Sequence, residues 1–264
     1  MSKVSIRHVT KIFPGHSAKD AAVLALDDVS FEIADREFCT IIGHSGCGKT
    51  TMLNLLAGFE QPTAGQILVN GTAVGPPTWE RAMVFQDYAL FPWLTVEQNI
   101  SFGLEMKKIP LDRRTEVIAQ QIRLVGLQGF EKRYPHQLSG GMKQRVSIAR
   151  ALSVDPQVLL MDEPFAALDA QNRSIMQDEM GRLLAQADAA LRKTMVLVTH
   201  SIEEAILLSD HIVVLSSRPG RVKEEVSVEL PRPRDEDDPR FIALRHHLRI
   251  LIHEEIAADV PTGD

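Results

Sequence analysis

Short apolar runs that partly alternate with polar positions fill the first third of the chain. Segments 3–13 (KVSIRHVTKIF), 24–34 (LALDDVSFEIA) and 37–43 (EFCTIIG) are rich in Val, Ile, Phe and Thr and predict strands. Segment 60–74 (EQPTAGQILVNGTAV) carries the turn residues of a further hairpin, and 48–58 (GKTTMLNLLAG) predicts a helix opened by a glycine-rich loop and closed by Gly58. From about Asp87 to Asp155 the pattern turns helical. In 111–127 (LDRRTEVIAQQIRLVGL), Val117, Ile118, Ile122 and Val125 fall on one face, with Asp112 as the expected N-cap.

Beyond that stretch, fully apolar runs alternate with amphipathic ones: strand 157–163, helix 170–187, strand 194–200, helix 201–210, strand 211–216. Strands apolar along their whole length belong to a parallel sheet covered on both faces. The Pro- and charge-rich stretch 230–240 (LPRPRDEDDPR) reads as a linker. It leads into a last helix, with Phe241, Leu244, Leu248, Leu251 and Ile252 at helical spacing and Asp238 and Pro239 at its N-cap and N1 positions. The expected division is an α/β core over 1–86 and 156–230, a helical lobe over 87–155, and a C-terminal linker and helix over 231–264.

Composition narrows the function classes. The net charge of −6 comes from 29 basic and 35 acidic residues with no long single-sign block, which argues against a nucleic-acid surface. Two cysteines, Cys39 and Cys47, fit a reducing compartment better than a disulfide framework. The N-terminus lacks the pattern of a signal peptide, and no apolar run approaches the roughly 20 residues of a membrane span. The expected place is therefore the cytosolic side.

Candidate chemistry begins with GHSGCGKT, which satisfies G-x-x-x-x-G-K-[ST] and stands after a predicted strand and before a predicted helix. In such a P-loop, Gly43, His44, Ser45, Gly46, Cys47, Gly48, Lys49, Thr50 and Thr51 wrap phosphate with backbone N–H groups, and the helix N-terminus adds partial positive charge. Lys49 supplies a mobile charge to the β- and γ-phosphates, and Thr50 a hydroxyl to Mg²⁺. The metal also needs a carboxylate at a neighbouring strand end, which Asp162 offers after four apolar residues; Glu163 follows, placed to orient or deprotonate the attacking water. Gln86 and His200 end two other apolar runs at the edge where α/β folds bind ligands, although alone Gln86 would pass for a polar turn residue and His200 for a helix N-cap neighbour.

A second glycine-containing helix entrance, LSGGMKQR, lacks the lysine and the metal-binding hydroxyl of a self-sufficient P-loop. Taken alone, Ser139, Gly140 and Gly141 read sooner as a flexible helix entrance than as a phosphate contact. The ordered set changes this: Gly43–Thr51, Gln86, LSGGMKQR, LLMDEP, Ala167–Asp169 and His200, with Ser139 placed 23 residues before Asp162, resembles the ATP-binding-cassette (ABC) ATPases over most of the chain.

The resemblance implies an α/β fold, a P-loop NTPase core with an inserted α-helical subdomain and an N-terminal antiparallel β region. It implies that two such chains pair head to tail, so that Ser139, Gly140, Gly141 and Met142 of one face the P-loop of the other across ATP. It further implies that Asp169 communicates across that interface, that His200 contacts the γ-phosphate, that Gln86 senses Mg²⁺ and joins the lobes, and that Phe13 stacks on adenine. Met142 replaces the glutamine common at its position, Ala166 stands where many relatives have serine, and Arg36 where glycine is frequent.

Segments such as VFQDYALFPWLTVEQNISFGL and VTHSIEEAILLSDHIVVLSSRPGRV resemble the nitrate/sulfonate/taurine importer branch of that family. This implies an energy-coupling subunit at the cytoplasmic face of the inner membrane. Its partners would be a paired ATPase subunit, transmembrane permease subunits and, indirectly, an extracytoplasmic solute-binding protein. Tyr88, Leu90, Phe91, Pro92 and Trp93 form an apolar stretch suited to receive a short helix of a membrane subunit, or else part of the helical lobe's core. The alternative from another class is a soluble ABC ATPase acting on DNA or the ribosome. Its usual inserted coiled coil, zinc module or second cassette is missing from this sequence.

Overall fold

The computed structural model describes residues 2–15, 21–186 and 193–258. By packing, the chain separates into two compact units: residues 1–77 with 177–264, and residues 78–176.

The larger unit opens with strands β1 (Ser2–Phe13) and β2 (Val23–Ala34), paired antiparallel. Their imperfect alternation has a structural cause. The apolar positions of β1 slip from Val4 and Ile6 to Val9, all buried, where the register shifts. Facing residues His8 (φ 50°) and Asp28 (φ 51°) take left-handed backbone there, with His8 Nδ1 2.8 Å from Asp28 Oδ1. An extra residue in a strand moves later side chains to the other face, and the sequence compensates by shifting its apolar positions. Beyond β3 (Phe38–Ile42) and helix α1 (Lys49–Ala57), strands β4 (Ala64–Val69) and β5 (Thr72–Ala73) complete an antiparallel sheet in the order β2-β1-β4-β5. Gly58 ends α1 in left-handed conformation (φ 84°), its N–H donating to the Asn54 and Leu55 carbonyls.

In the smaller unit, strand β6 (Arg81–Val84) precedes helices α2 (Val96–Met106), α3 (Leu111–Leu124) and α4 (Gly140–Ser153), strand β7 (Val158–Asp162), and the start of α5 (Ala170–Gln186). The last residue of the expected helix 170–187, Ala187, lies outside the described residues, as does the tail from 259. A reciprocal capping box opens α2: Thr95 Oγ1 accepts from the Gln98 N–H, and Gln98 Oε1 accepts from the Thr95 N–H. Helix α3 differs from the sequence reading, because its N-cap is Pro110 and no side chain caps it. The fixed φ of proline suits a helix entrance, so the helix begins one residue before Asp112, which then lies in the first turn where a carboxylate favours the dipole. Val96, Ile100, Ile122, Val125, Leu138, Val146 and Ala149 form the buried core of the three helices.

The chain then continues in the larger unit with β8 (Thr194–Thr199), α6 (Ile202–Leu208), β9 (His211–Leu215), β10 (Val222–Ser227) and α7 (Pro239–Ala258). Strand β3 lies between β8 and β9, parallel to both, and β10 adds antiparallel to β9. All of β3 and β9 is buried, in keeping with strands that are apolar but for Thr40 and His211. Phe241, Leu248 and Leu251 of α7 pack on Ile42, Ala205, Ile206, Ile212 and Val214. Asp238 Oδ1 caps α7 by accepting from the Arg240 N–H at 2.8 Å.

The stretch read as a linker is anchored instead. Arg232 pairs with Asp210 and donates to the Leu208 carbonyl, and Arg234 donates to the Ile206 and Ser209 carbonyls. These guanidiniums satisfy the orphan acceptors at the end of α6. Burial, with Arg232 alongside, pushes the Arg234 pKa down to about 10.

Candidate nucleotide site

In the larger unit, β3 and β8 are in parallel register with Ile42 opposite Thr199, so Gly43 and His200 leave the sheet at the same edge. The Gly43–Thr51 loop closes tightly on itself. A Cβ on Gly43 would lie 2.6 Å from the Leu215 carbonyl oxygen and 2.8 Å from Cys47 Sγ. Gly48 has φ 91°, and a Cβ there would meet Leu26 Cδ2 at 2.6 Å and the Ala25 carbonyl oxygen at 2.9 Å. Gly48 is also the N-cap of α1, and with no side chain it provides no side-chain cap to the helix entrance.

Lys49 is 7% exposed; its Nζ donates to the Gly43 and His44 carbonyls at 2.8 Å each. The ammonium is thus folded over the loop, among acceptors it can exchange for phosphate oxygens. His44 Nε2 is buried and has no hydrogen-bond partner among the described residues. Burial raises the Cys47 thiol pKa, with Lys49 opposing, so the thiol stays protonated. Ser45, Gly46, Thr50 and His200 are exposed, and Thr51 is half-buried. Phe13, half-buried, pairs with Val23 at the far end of the β1–β2 hairpin, and Lys11 Nζ lies 4.8 Å from its ring centroid.

In the smaller unit, β6 and β7 are parallel with Val84 opposite Met161. Gln86, exposed, and Asp162 and Glu163, both half-buried, therefore leave at one end. Glu163 has φ 42°, a left-handed conformation that L-residues hold only when their surroundings impose it. The loop that follows is held by a residue to which the sequence gives no role, Arg173. Its guanidinium donates to the Phe165 carbonyl at 3.2 Å and the Leu168 carbonyl at 3.0 Å, holding the loop that ends at Asp169. Its position in the first turn of an amphipathic helix gave no signal of this, because the acceptors are backbone atoms.

Ser139 is the N-cap of α4, its Oγ accepting from the Met142 N–H at 3.3 Å. That bond uses one lone pair and leaves the hydroxyl proton free to be donated outward. Gly140 is half-buried and Gly141 buried. Met142 packs sideways on the helical core, so its substitution for glutamine adds apolar contact at the helix base. Of the apolar stretch after Gln86, Leu90 also packs on that core, Phe91 lies against Phe102 with centroids 4.5 Å apart, and Trp93 is 70% exposed.

The ABC transporter family profile matches residues 26–166. The chain belongs to the ABC transporter family. An uncharacterized ABC transporter ATP-binding protein of Methanocaldococcus jannaschii is 47% identical over 254 residues, 96% of this chain and 92% of that protein. The aliphatic sulfonates import ATP-binding protein of Bacillus cereus is 42% identical over 243 residues, 92% of each chain. Among solved structures, a dimeric ATP-binding cassette in a post-hydrolysis state with ADP and Pi matches with a TM-score of 0.72 and 29% identity, over 86% of this chain and 99% of that one. The cassette is an ATP-binding ATPase with a P-loop NTPase core, an antiparallel N-terminal sheet and a helical insertion. None of its described helices is long and apolar enough to cross a membrane.

Proposed function

We propose that this cassette is the energy-coupling subunit of an importer for a sulfonate, nitrate, taurine or a similar small anion, working as a head-to-tail pair beneath separate membrane subunits. The observation that carries this is the inequality of its two glycine loops. The Gly43–Thr51 loop has a lysine, a hydroxyl and an uncapped helix entrance, whereas the Ser139–Gly141 loop has only a donor hydroxyl and backbone. The second is fit to complete a phosphate site and unfit to make one. The sulfonate-import relative, alike over 92% of each chain, supports the choice of solute class.

In this reading Lys49 and the loop amides bind the β- and γ-phosphates, and Phe13 stacks on adenine. The loop, so close-set that a Cβ on Gly43 or Gly48 would overlap its neighbours, and the helix entrance without a side-chain cap suit a phosphate chain. Thr50, Gln86 and Asp162 offer only oxygen donors, a set that suits Mg²⁺, and the ion would neutralise charge on the phosphates. Glu163 orients the attacking water and accepts its proton, while His200 steadies the γ-phosphate. Ser139, Gly140, Gly141 and Met142 close the site of the partner copy, and Asp169 reports across the interface. Segment 87–155 serves as the arm that carries the second loop. Exposed Trp93, with Phe91 beside it at 5.7 Å between centroids, offers the landing surface for a membrane subunit's short helix at the cytoplasmic face of the inner membrane.

Two measurements test this. Glu163→Gln should hold ATP, lose hydrolysis by about 10²–10⁴-fold, and double in mass with ATP by light scattering; wild-type turnover would require another base. Extraction in mild detergent should recover the cassette with membrane proteins, whereas retention on ribosomes or DNA would sink the transport reading.

A further inference from the structure

Just beyond Gln86 the backbone is strained. Tyr88 (φ 60°) and Ala89 (φ 47°) are consecutive non-glycine residues in left-handed conformation, a cost sustained only where neighbours impose it. The neighbour is α4, the helix that starts at the second glycine loop. Ser147 Oγ donates to the Tyr88 carbonyl at 3.0 Å. Arg150 donates through Nη2 to the same carbonyl at 3.1 Å and through Nη1 to the Ala89 carbonyl at 2.7 Å. Its guanidinium also lies 5.6 Å from the centroid of the Phe91 ring.

Each end of this arrangement leads somewhere. Outward, Phe91 neighbours exposed Trp93, and its backbone is fixed by Asn99, which is 0% exposed and bonds both its N–H (2.9 Å) and its carbonyl (3.2 Å). Inward, the Tyr88 hydroxyl stands 3.1 Å from where a Cβ on Gly140 would be, and it donates to the Ala167 carbonyl at 3.5 Å. One residue thus touches the second glycine loop and the Ala167–Asp169 loop with its tip, while α4 grips its backbone.

We infer that Arg150 is a positioning residue that makes the aromatic landing surface and the two ATP-contacting loops move as one body, by gripping the carbonyls of Tyr88 and Ala89 while stacking on Phe91. Lysine cannot replace it, because only a planar fork donates to two carbonyls and presents a face to an aromatic ring at once. The inference deepens the reading of these loops as nucleotide contacts and needs no particular solute.

The test uses the full chain with Trp79→Phe, leaving Trp93 as the reporter, and acrylamide quenching with and without a non-hydrolysable ATP analogue and Mg²⁺. The analogue should change the Trp93 quenching constant about twofold. Arg150→Lys should still bind a fluorescent nucleotide yet lose at least three-quarters of that response. Adding Ala89→Gly, which removes the Cβ at a left-handed position, should restore at least half, a rescue that a merely packing role for Arg150 would not show. Ser147→Ala should give a smaller loss and decides the matter should Arg150→Lys fail to fold. A full response in Arg150→Lys, no rescue by Ala89→Gly, or no response with Arg150 intact would overturn the inference. Failure to recover membrane subunits would sink the transport reading and leave this response in place.

Discussion

The entrances of α1 and α4 are both glycine-rich helix N-termini, and they treat their free amides in opposite ways. At α1, Gly48 occupies the N-cap without a side chain, and the loop is so tight that a Cβ on Gly43 or Gly48 would overlap its neighbours. At α4, Ser139 caps its own helix, and Gly140 has 3.1 Å to the nearest atom a Cβ would meet. An N-terminus whose amides are not satisfied internally attracts an anion. One that is capped needs the anion less and contributes a hydroxyl instead. The difference leaves the α1 entrance the better anion grip of the two, while the α4 entrance, capped by Ser139, has a hydroxyl to offer.

The largest expected effect removes the charge that only the first loop has. Lys49→Ala should lower hydrolysis by about 10²–10³-fold, the scale for losing one preorganised donor to developing negative charge; phosphate release measures it, and near-normal turnover would remove Lys49 from the mechanism. Next comes the dependence of one loop on the other. Ser139→Arg and Lys49→Ala chains should each be inactive alone and recover activity on mixing, because a mixed pair keeps one intact composite site. No recovery at any ratio would show that the second loop does not act on a partner's nucleotide.

Smaller effects separate the two frameworks. Phe241, 0% exposed, supports the end of β3 from which Gly43 departs, so Phe241→Ala should cost about 3–5 kcal/mol of stability in a denaturant titration. An unchanged midpoint would mean that α7 does not hold that strand. Thr95→Ala breaks the capping box of α2 in the smaller unit and should cost about 1 kcal/mol. A loss as large as that at Phe241 would mean that the helical lobe depends on its cap more than on its core.

Most of the architecture was legible because its signals are local. Strand β3 reads from its apolar run, α1 from its glycine loop and Gly58, and the start of α4 from the serine and glycines of LSGGMKQR. What misled were a helix start set by backbone geometry and contacts whose partners are distant in sequence. Asp112 had the right chemistry for an N-cap, but Pro110 two residues earlier decides the helix start. Segment 230–240 has the composition of a linker, yet Arg232 and Arg234 spend their donors on carbonyls more than twenty residues away. A guanidinium's acceptor leaves no periodic trace, and the irregularity at His8 and Asp28 shows only as a slip in the alternation of β1.

The sequence by itself determined the chemistry of this protein: the glycine spacing before Lys49, the carboxylates at the end of β7, and a second loop that lacks a lysine. These follow from residue type at short range, where geometry is nearly forced. Only the tertiary structure decided that Glu163 sits in a left-handed turn, that Arg173 holds the loop leading to Asp169, and that Tyr88 stands between the Gln86 segment and Gly140. Those relations rest on hydrogen bonds to backbone carbonyls and on packing between segments far apart in the chain. Any residue type supplies a carbonyl, so the composition of the chain cannot say which one is used.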